Sequence, residues 1–266
     1  MYIIYQQAQN IMLSKHLTNV IQNLEKRKYR EKYNAFKVEG GKLVNELLFS
    51  GLTIEHLLAL PAWIEQNQTI IGQYDVIPVT EDEMARVSNF QSIPEVIAIA
   101  RIPRNAALPT DIQTSLSVIL NGIQDPGNLG TILRVCDWFG IRYVFCDAAC
   151  AGVYNPKTVQ ASMGAVFRVK VFYTDLVELI SRYTSPDFPC HGTFLHGENI
   201  YRTPLSSRGF IVMGNEGQGI SPDIERLVSH RLTIPSFARS ERSTESLNVG
   251  VATGIILSEF KRTEQV

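Results

Sequence analysis

Apolar positions recur in two rhythms along this chain, and the changes of rhythm mark its elements. Leu17, Val20, Ile21 and Leu24 fall at helical spacing and predict a helix. Residues 34–40 read as a short strand reaching a Gly-Gly turn, followed by an amphipathic helix over 42–49 with Leu43, Leu47 and Leu48 inward. Apolar runs at 57–60, 75–79 and 96–100 predict strands, and 81–87 a short helix capped by Thr80. Helices alternating with strands over this stretch make a small α/β domain.

Residues 101–114 carry two prolines and little periodicity, as a linker would. A buried strand at 117–120 then opens a second domain. A helix over 131–139 follows, closed by Gly140 at C′. Next come a strand at 142–146, a helix from Asn155-Pro156 to 163, a strand at 166–172, and a helix at 175–183 capped by Thr174. Strand 192–195 leads to Gly197, strand 210–213 ends at glycines, and Ser221-Pro222 starts another helix. A final helix over 249–261 mixes Gly250, Ala252, Thr253, Gly254 and Ser258 with large apolar residues, which permits close helix packing. Strands alternating with helices over short links predict a parallel sheet covered on both faces.

Composition narrows the function classes. With 266 residues and 45% hydrophobic content, two cored domains are expected, and no apolar run is long enough to span a bilayer. Residues 1–9 lack the basic-then-apolar pattern of a secretory signal, so a cytoplasmic protein is expected. Cys136, Cys146, Cys150 and Cys190 form no CxxC pair and read as buried thiols. The five histidines are scattered, so no metal site is expected. A net charge of −1 announces no nucleic-acid partner, and any basic surface must be local. The run Glu25–Tyr33 is such a place, with Lys26, Arg27, Lys28, Arg30 and Lys32 beside Tyr29 and Tyr33. It reads either as a solvated helix end or as a patch that contacts RNA phosphates and stacks bases on its tyrosines.

The candidate chemistry lies in the second domain. Gly214, Gly217 and Gly219 follow the strand at 210–213, so backbone there approaches a ligand closely. Their spacing is GxxGxG rather than the GxGxxG of a dinucleotide-binding turn, and no ribose-binding acid accompanies them. Three separated motifs occur in one order: Asn121-Gly-Ile-Gln-Asp-Pro-Gly-Asn128-Leu-Gly130 with Arg134, then Gly214-Asn-Glu216-Gly-Gln-Gly219, then Ile234-Pro235 with Ser246-Leu247-Asn248-Val249. Together they resemble the SpoU (TrmH) family of RNA ribose 2′-O-methyltransferases, which use S-adenosylmethionine. The run from Lys26 to Gly40 is similar to the start of the L30e-like substrate-binding domain found in many of these enzymes.

The resemblance implies an L30e-like RNA-docking domain over 12–101 and a C-terminal SPOUT domain over 115–266, whose parallel sheet carries a deep trefoil knot. It implies S-adenosylmethionine held by Leu195, Gly197, Gly214, Ile234 and Leu247, and polar active-site positions at Asn128, Arg134, Glu216, Ser246 and Asn248. Arg134 would bind the phosphate beside the target ribose, with Glu216 fixing Arg134 or the knot. The implied partners are RNA, ribosomal RNA foremost and tRNA as the alternative, and a second copy joined through the knot and last helix. A non-catalytic RNA-binding relative is the competing class. Two departures from the family pattern stand out: 94–98 lacks the usual glycine, and the loop from Ile234 to Ser246 is longer and lacks another. Arg239 and Arg242 on that loop either reach RNA or are plain exposed charges.

Overall fold

The computed structural model describes residues 13–103, 107–238 and 245–264. Residues 1–12 and the loop arginines Arg239 and Arg242 lie outside them. The chain divides into two compact units, one of Met1–Arg104 with Tyr154–Gln160, the other of Asn105–Val153 with Ala161–Val266.

The first unit opens with α1 (Lys15–Asn23) and α2 (Arg27–Tyr33). The charge run is thus a second helix rather than the end of the first, and Asn34 closes it in the left-handed conformation that a short polar side chain tolerates. Then follow β1 (Ala35–Glu39), α3 (Gly41–Leu48), β2 (Ile54–Ala59), α4 (Pro61–Gln66), α5 (Gln68–Ile71), β3 (Val76–Pro78), α6 (Glu81–Val87) and β4 (Val96–Arg101). The sheet order is β1-β4-β2-β3, with β4 antiparallel to both neighbours and β2 parallel to β3. Thr80 caps α6 as expected, in a full capping box with Glu83. One face of the sheet buries Leu58, Ile97 and Ile99 against Ile21 and Leu24 of the α1 segment and Met84 of α6. Lys37 lies fully buried in β1, its ammonium 2.7 Å from Glu39 and 3.0 Å from Glu25 and bonded to the Val87 carbonyl, so the buried charge is paired.

The second unit is a parallel sheet of order β10-β8-β9-β5-β6-β7. Its elements are β5 (Leu116–Asn121), α7 (Pro126–Trp138), β6 (Tyr143–Cys146), β7 (Lys170–Tyr173), α9 (Leu176–Tyr183), β8 (Cys190–Asn199), β9 (Gly209–Gly214), α10 (Pro222–Glu225), β10 (His230–Thr233) and α11 (Val249–Glu264), while α8 (Pro156–Ser162), between β6 and β7 in the chain, is grouped through Gln160 with the first unit. Phe145, Phe210, Phe188 and Ile180 centre a core that also takes Ile112 and Leu108, so the stretch expected as a linker is partly packed. On α11, Gly250 meets α7 so closely that a Cβ there would stand 2.8 Å from Thr131 Cγ2.

Local expectations shift in places. The helix expected from residue 131 begins at Pro126, because Asp125 caps it by accepting the Asn128 amide. Asp175, not Thr174, caps α9. The strand expected over 166–172 is only Lys170–Tyr173, since Ala165–Phe167 form a 3₁₀ turn after left-handed Gly164.

Burial also creates an acid-sensitive point. His191 in β8 is 2% exposed, stacked on His230 and edge-on to Phe260 of α11, and its two ring nitrogens have no hydrogen-bond partner among the described residues. Burial, then the neighbouring His230, pulls its pKa down to about 4. The fold therefore prefers the neutral ring, and the stabilisation is complete above the ordinary value near 6.5 and lost as pH falls toward 4. At about 1.4 kcal/mol per unit the loss approaches 3 kcal/mol. In urea unfolding at pH 7.5 and 4.5, His191→Phe should lose less stability than the parent between the two pH values. Equal losses would exclude His191 as the origin.

Candidate active site

The order in which strands are laid down reverses in the second sheet between β5 and β9. From β5 the strands proceed through β6 to β7, then the chain returns to lay β8, β9 and β10 on the other side. In such sheets the crevice beyond the carboxyl ends at the reversal is where ligands bind. Two loops leave the sheet there, Asn121–Asp125 after β5 and Asn215–Gly219 after β9.

Asparagines hold these loops in place. Asn215 donates to the Gly122 carbonyl at 2.7 Å, and its side-chain oxygen accepts the amides of Gly217 and Gln218. Its backbone pairs twice with Gly219, at 3.0 and 2.9 Å. Asn121 accepts the Ser221 amide and donates to Asp147, both at 2.7 Å. At Gly214 the chain comes very close to itself: a Cβ there would stand 2.4 Å from the backbone carbon of Gly219.

Three of the polar residues singled out in the sequence are brought together. Asn128, in the first turn of α7, donates to the Glu216 carboxylate, and its oxygen accepts from Asn248 at 2.9 Å. The Asn248 oxygen in turn accepts the Gly250 and Val251 amides and so caps α11. One hydrogen-bonded line therefore joins the loop after β9, the start of α7 and the start of α11. Glu216, expected to fix Arg134 or the knot, pairs with Asn128.

Arg134 and Ser246 stand apart from this line. Arg134 is exposed and makes no ion pair or hydrogen bond among the described residues. It lies six residues beyond Asn128, so helix geometry places it about 9 Å along the axis and about 120° around it. Ser246 is exposed two residues before Asn248 and is unbonded to the line.

The five positions expected to hold the cofactor flank the same end of the sheet. β8 pairs with β10 at His191 and Gly192, then again at Glu198 and Asn199, so the segment between bulges out of the ladder. Leu195 and Gly197 lie on that bulge, with the Leu195 carbonyl held by Thr233 Oγ1 at 3.0 Å. Gly197 is tight against β10, where a Cβ would stand 2.5 Å from the Arg231 carbonyl oxygen. Ile234 directly follows β10, Gly214 ends β9, and Leu247 precedes α11. The Leu195 and Leu247 side chains are 65% and 49% exposed, apolar surface available to a ligand. Close backbone approach at Gly214 and Gly197 together with exposed leucines fits the adenine of S-adenosylmethionine, a flat ring that main chain and apolar side chains can grip.

Of the basic patch, Lys26, Arg27, Lys28 and Lys32 are exposed on or beside α2, with Arg27 paired to Glu31. Arg30 is a correction. It is buried, its guanidinium donates to the Leu24 and Glu25 carbonyls, and burial lowers its pKa. It ties α2 to the end of α1 and offers nothing to a phosphate. The cysteines are all buried, and burial pushes the Cys190 thiol up to about 12, far from a reactive thiolate. Among the described residues no group of His, Cys, Asp and Glu is placed to hold a metal, and no helix is long and apolar enough to cross a membrane.

The sequence reasoning missed Asn121 and Asn215, which fix the loops. Their signal was position, a polar residue at or just past the end of an apolar strand.

Residues 115–258 match the family model described as the SpoU rRNA Methylase family, and residues 19–98 match the MRM3-like substrate binding domain. The 23S rRNA (guanosine(2553)-2′-O)-methyltransferase of Bacillus subtilis is 28% identical over 245 residues, covering 90% of this chain and 93% of that one. A solved TrmH-family protein from Porphyromonas gingivalis is 36% identical, with a TM-score of 0.82 over 95% of this chain and all of that one. An rRNA methyltransferase from Sinorhizobium meliloti, solved with S-adenosylmethionine bound, is 26% identical with a TM-score of 0.80, covering 95% of this chain and 96% of that one.

Proposed function

The chain belongs to the SpoU rRNA methylase family, and on that premise we propose that it transfers a methyl group from S-adenosylmethionine to a ribose 2′-hydroxyl of ribosomal RNA. The observation that carries this reading is the Glu216–Asn128–Asn248 line, which locks three motifs together at the strand ends beside the expected cofactor positions.

S-adenosylmethionine supplies a methyl on a good leaving group, so the protein's task is alignment and proton removal. Leu195, Gly197, Gly214, Ile234 and Leu247 hold the cofactor, mostly through backbone and apolar contact. The line of amides and carboxylate presents donors and an acceptor in one fixed arrangement, which orients an incoming hydroxyl. Such positioning supplies about 7–11 kcal/mol of a barrier in well-oriented reactions. Arg134 binds the phosphate beside the target ribose and stabilises the developing alkoxide. A guanidinium stays protonated, so it serves as an electrostatic partner rather than a base, and the hydroxyl's proton leaves to water as the methyl passes from sulfur to oxygen. Ser246, exposed two residues before Asn248, completes the hydroxyl's surroundings.

Arg134's place on α7, turned away from Asn128, supports a site shared between two copies, joined through a knotted C-terminal region and α11. Exposed Val251 on α11 and Trp138 on α7, 53% and 84% exposed, give such an interface apolar surface. The first unit, over 12–101, docks RNA with Lys26, Arg27, Lys28 and Lys32, and the protein works in the cytoplasm.

Incubating purified protein with labelled S-adenosylmethionine and separated RNA classes tests the substrate. Label should enter ribosomal RNA far more than tRNA. A preference for tRNA would overturn the ribosomal reading, and cofactor binding without transfer to any RNA would mark a non-catalytic relative.

A further inference from the structure

The first unit carries a cleft on the side away from its Gly-Gly turn. It lies where α2 ends, β2 begins and β4 leaves the sheet, with a volume of about 600 Å³, within the about 300–1,000 Å³ typical of small-ligand sites. Tyr33, Asn34, Thr53, Glu55 and Arg101 are among its walls. Polar groups dominate it, and Arg101 forks onto Glu55 through two nitrogens at 3.0 and 2.8 Å, which leaves the floor nearly neutral.

Tyr33, the last residue of α2, lines the cleft, and the strip of α2 that leads up to it is different in character. Tyr29 and Tyr33, one helical turn apart, lie nearly parallel, with an interplanar angle of 13° and centroids 6.2 Å apart. Lys28 Nζ sits 4.9 Å from the Tyr29 ring centre and Lys32 Nζ 5.3 Å from that of Tyr33. The neighbouring Arg27 and Glu31 neutralise each other, so Lys28 and Lys32 set the charge of this strip. Tyr33 also packs against the core around Ile97 and Ile99, which fixes its ring.

A fixed aromatic ring beside a neutral polar cleft, flanked by cations, matches the three parts of a nucleotide. The ring takes the base face, the cleft's polar groups take the base edge, and the lysines take phosphate. In a duplex the base faces are hidden inside the stack, so only an unpaired nucleotide offers all three. We infer that this cleft captures one unpaired nucleotide of the substrate RNA, stacked on Tyr33, and that the first unit therefore selects single-stranded or looped RNA. The inference rests on RNA being the substrate.

Fluorescence anisotropy of the full chain tests it, with a labelled single-stranded oligoribonucleotide and a blunt duplex of equal length as probes. The single strand should bind more tightly than the duplex at the same salt. Tyr33→Leu, which keeps the packing but loses the π-face, should weaken single-strand binding on the order of tenfold, and Tyr33→Phe should leave it nearly unchanged. Lys28→Ala with Lys32→Ala should flatten its salt dependence. Unchanged single-strand affinity in Tyr33→Leu, or equal affinity for the duplex, would overturn the inference. S-adenosylmethionine binding by each variant at parental affinity checks that the chain is folded. Methyl transfer by the parent protein is measured alongside, so its absence would sink the enzymatic reading and leave the nucleotide-capture result standing separately.

Discussion

Arg134→Ala should lower the turnover number for methyl transfer by about 10²–10³-fold, as losing one fixed donor to a developing oxyanion does. Binding of S-adenosylmethionine should not change, because Arg134 lies on a helix face away from the strand ends that carry Gly214 and Gly197. Arg134→Lys keeps the charge but not the planar fork, so it should recover only part of the rate. The proposed shared site makes a sharper prediction. Arg134 lies about 120° around α7 from Asn128, and on that proposal each site draws its arginine from the other copy. Mixing two inactive variants, Arg134→Ala and Asn128→Ala, then creates mixed dimers in which one site has both residues. Random exchange between two-fold dimers should restore about a quarter of the parental activity. A mixture as inactive as its parts would place Arg134 in its own subunit's site.

Gly214→Ala should be the most damaging small change at the cofactor end. Its methyl would stand 2.4 Å from the Gly219 carbon, 2.5 Å from the Ile220 nitrogen and 2.8 Å from the Gly219 oxygen, all backbone. Main chain yields only by moving the 215–219 loop as a whole. That motion strains the Asn215–Gly122 bond and draws Glu216 away from Asn128. Overpacking of this kind costs about 1–3 kcal/mol of stability. A displacement near 1 Å at a site costs on the order of 10²-fold in function. Calorimetric titration with S-adenosylmethionine should show affinity falling on that scale, with a lowered unfolding temperature. Gly219→Ala is the control. Gly219 has φ +70, but a Cβ there meets nothing within 4 Å, so it should cost only the about 1–2 kcal/mol of the left-handed conformation. Affinity in Gly214→Ala close to that of the parent would show that the close approach is not what shapes the cofactor site.

The strands were legible in the sequence because buried parallel strands are plain apolar runs, such as Phe210–Met213 and the run ending at Leu120. Helices were legible where periodicity or a cap marked them, as with Thr80 and Glu83 at α6. α4 and α5 were not, since Trp63 and Ile71 are the only buried residues on them and carry no period. Val166 and Phe167 resembled strand because a buried 3₁₀ turn and a buried strand look alike as apolar runs. Arg30 looked like its basic neighbours, and only the three-dimensional path of α2 shows its guanidinium turned inward onto carbonyls. The site was legible through motif resemblance alone. Asn128 is 88 residues from Glu216 and 120 from Asn248 in the chain, separations at which no local spacing rule acts. The resemblance named those residues, and the structure adds the Glu216–Asn128 pairing.

The chemistry of the product is the most direct test of the whole account. RNA methylated by this protein with labelled S-adenosylmethionine should be hydrolysed in alkali and its products separated. A 2′-O-methyl group removes the hydroxyl that alkali uses to cleave the adjacent phosphodiester. The account predicts label in alkali-resistant dinucleotides, and label confined to mononucleotides, as base methylation would give, contradicts it.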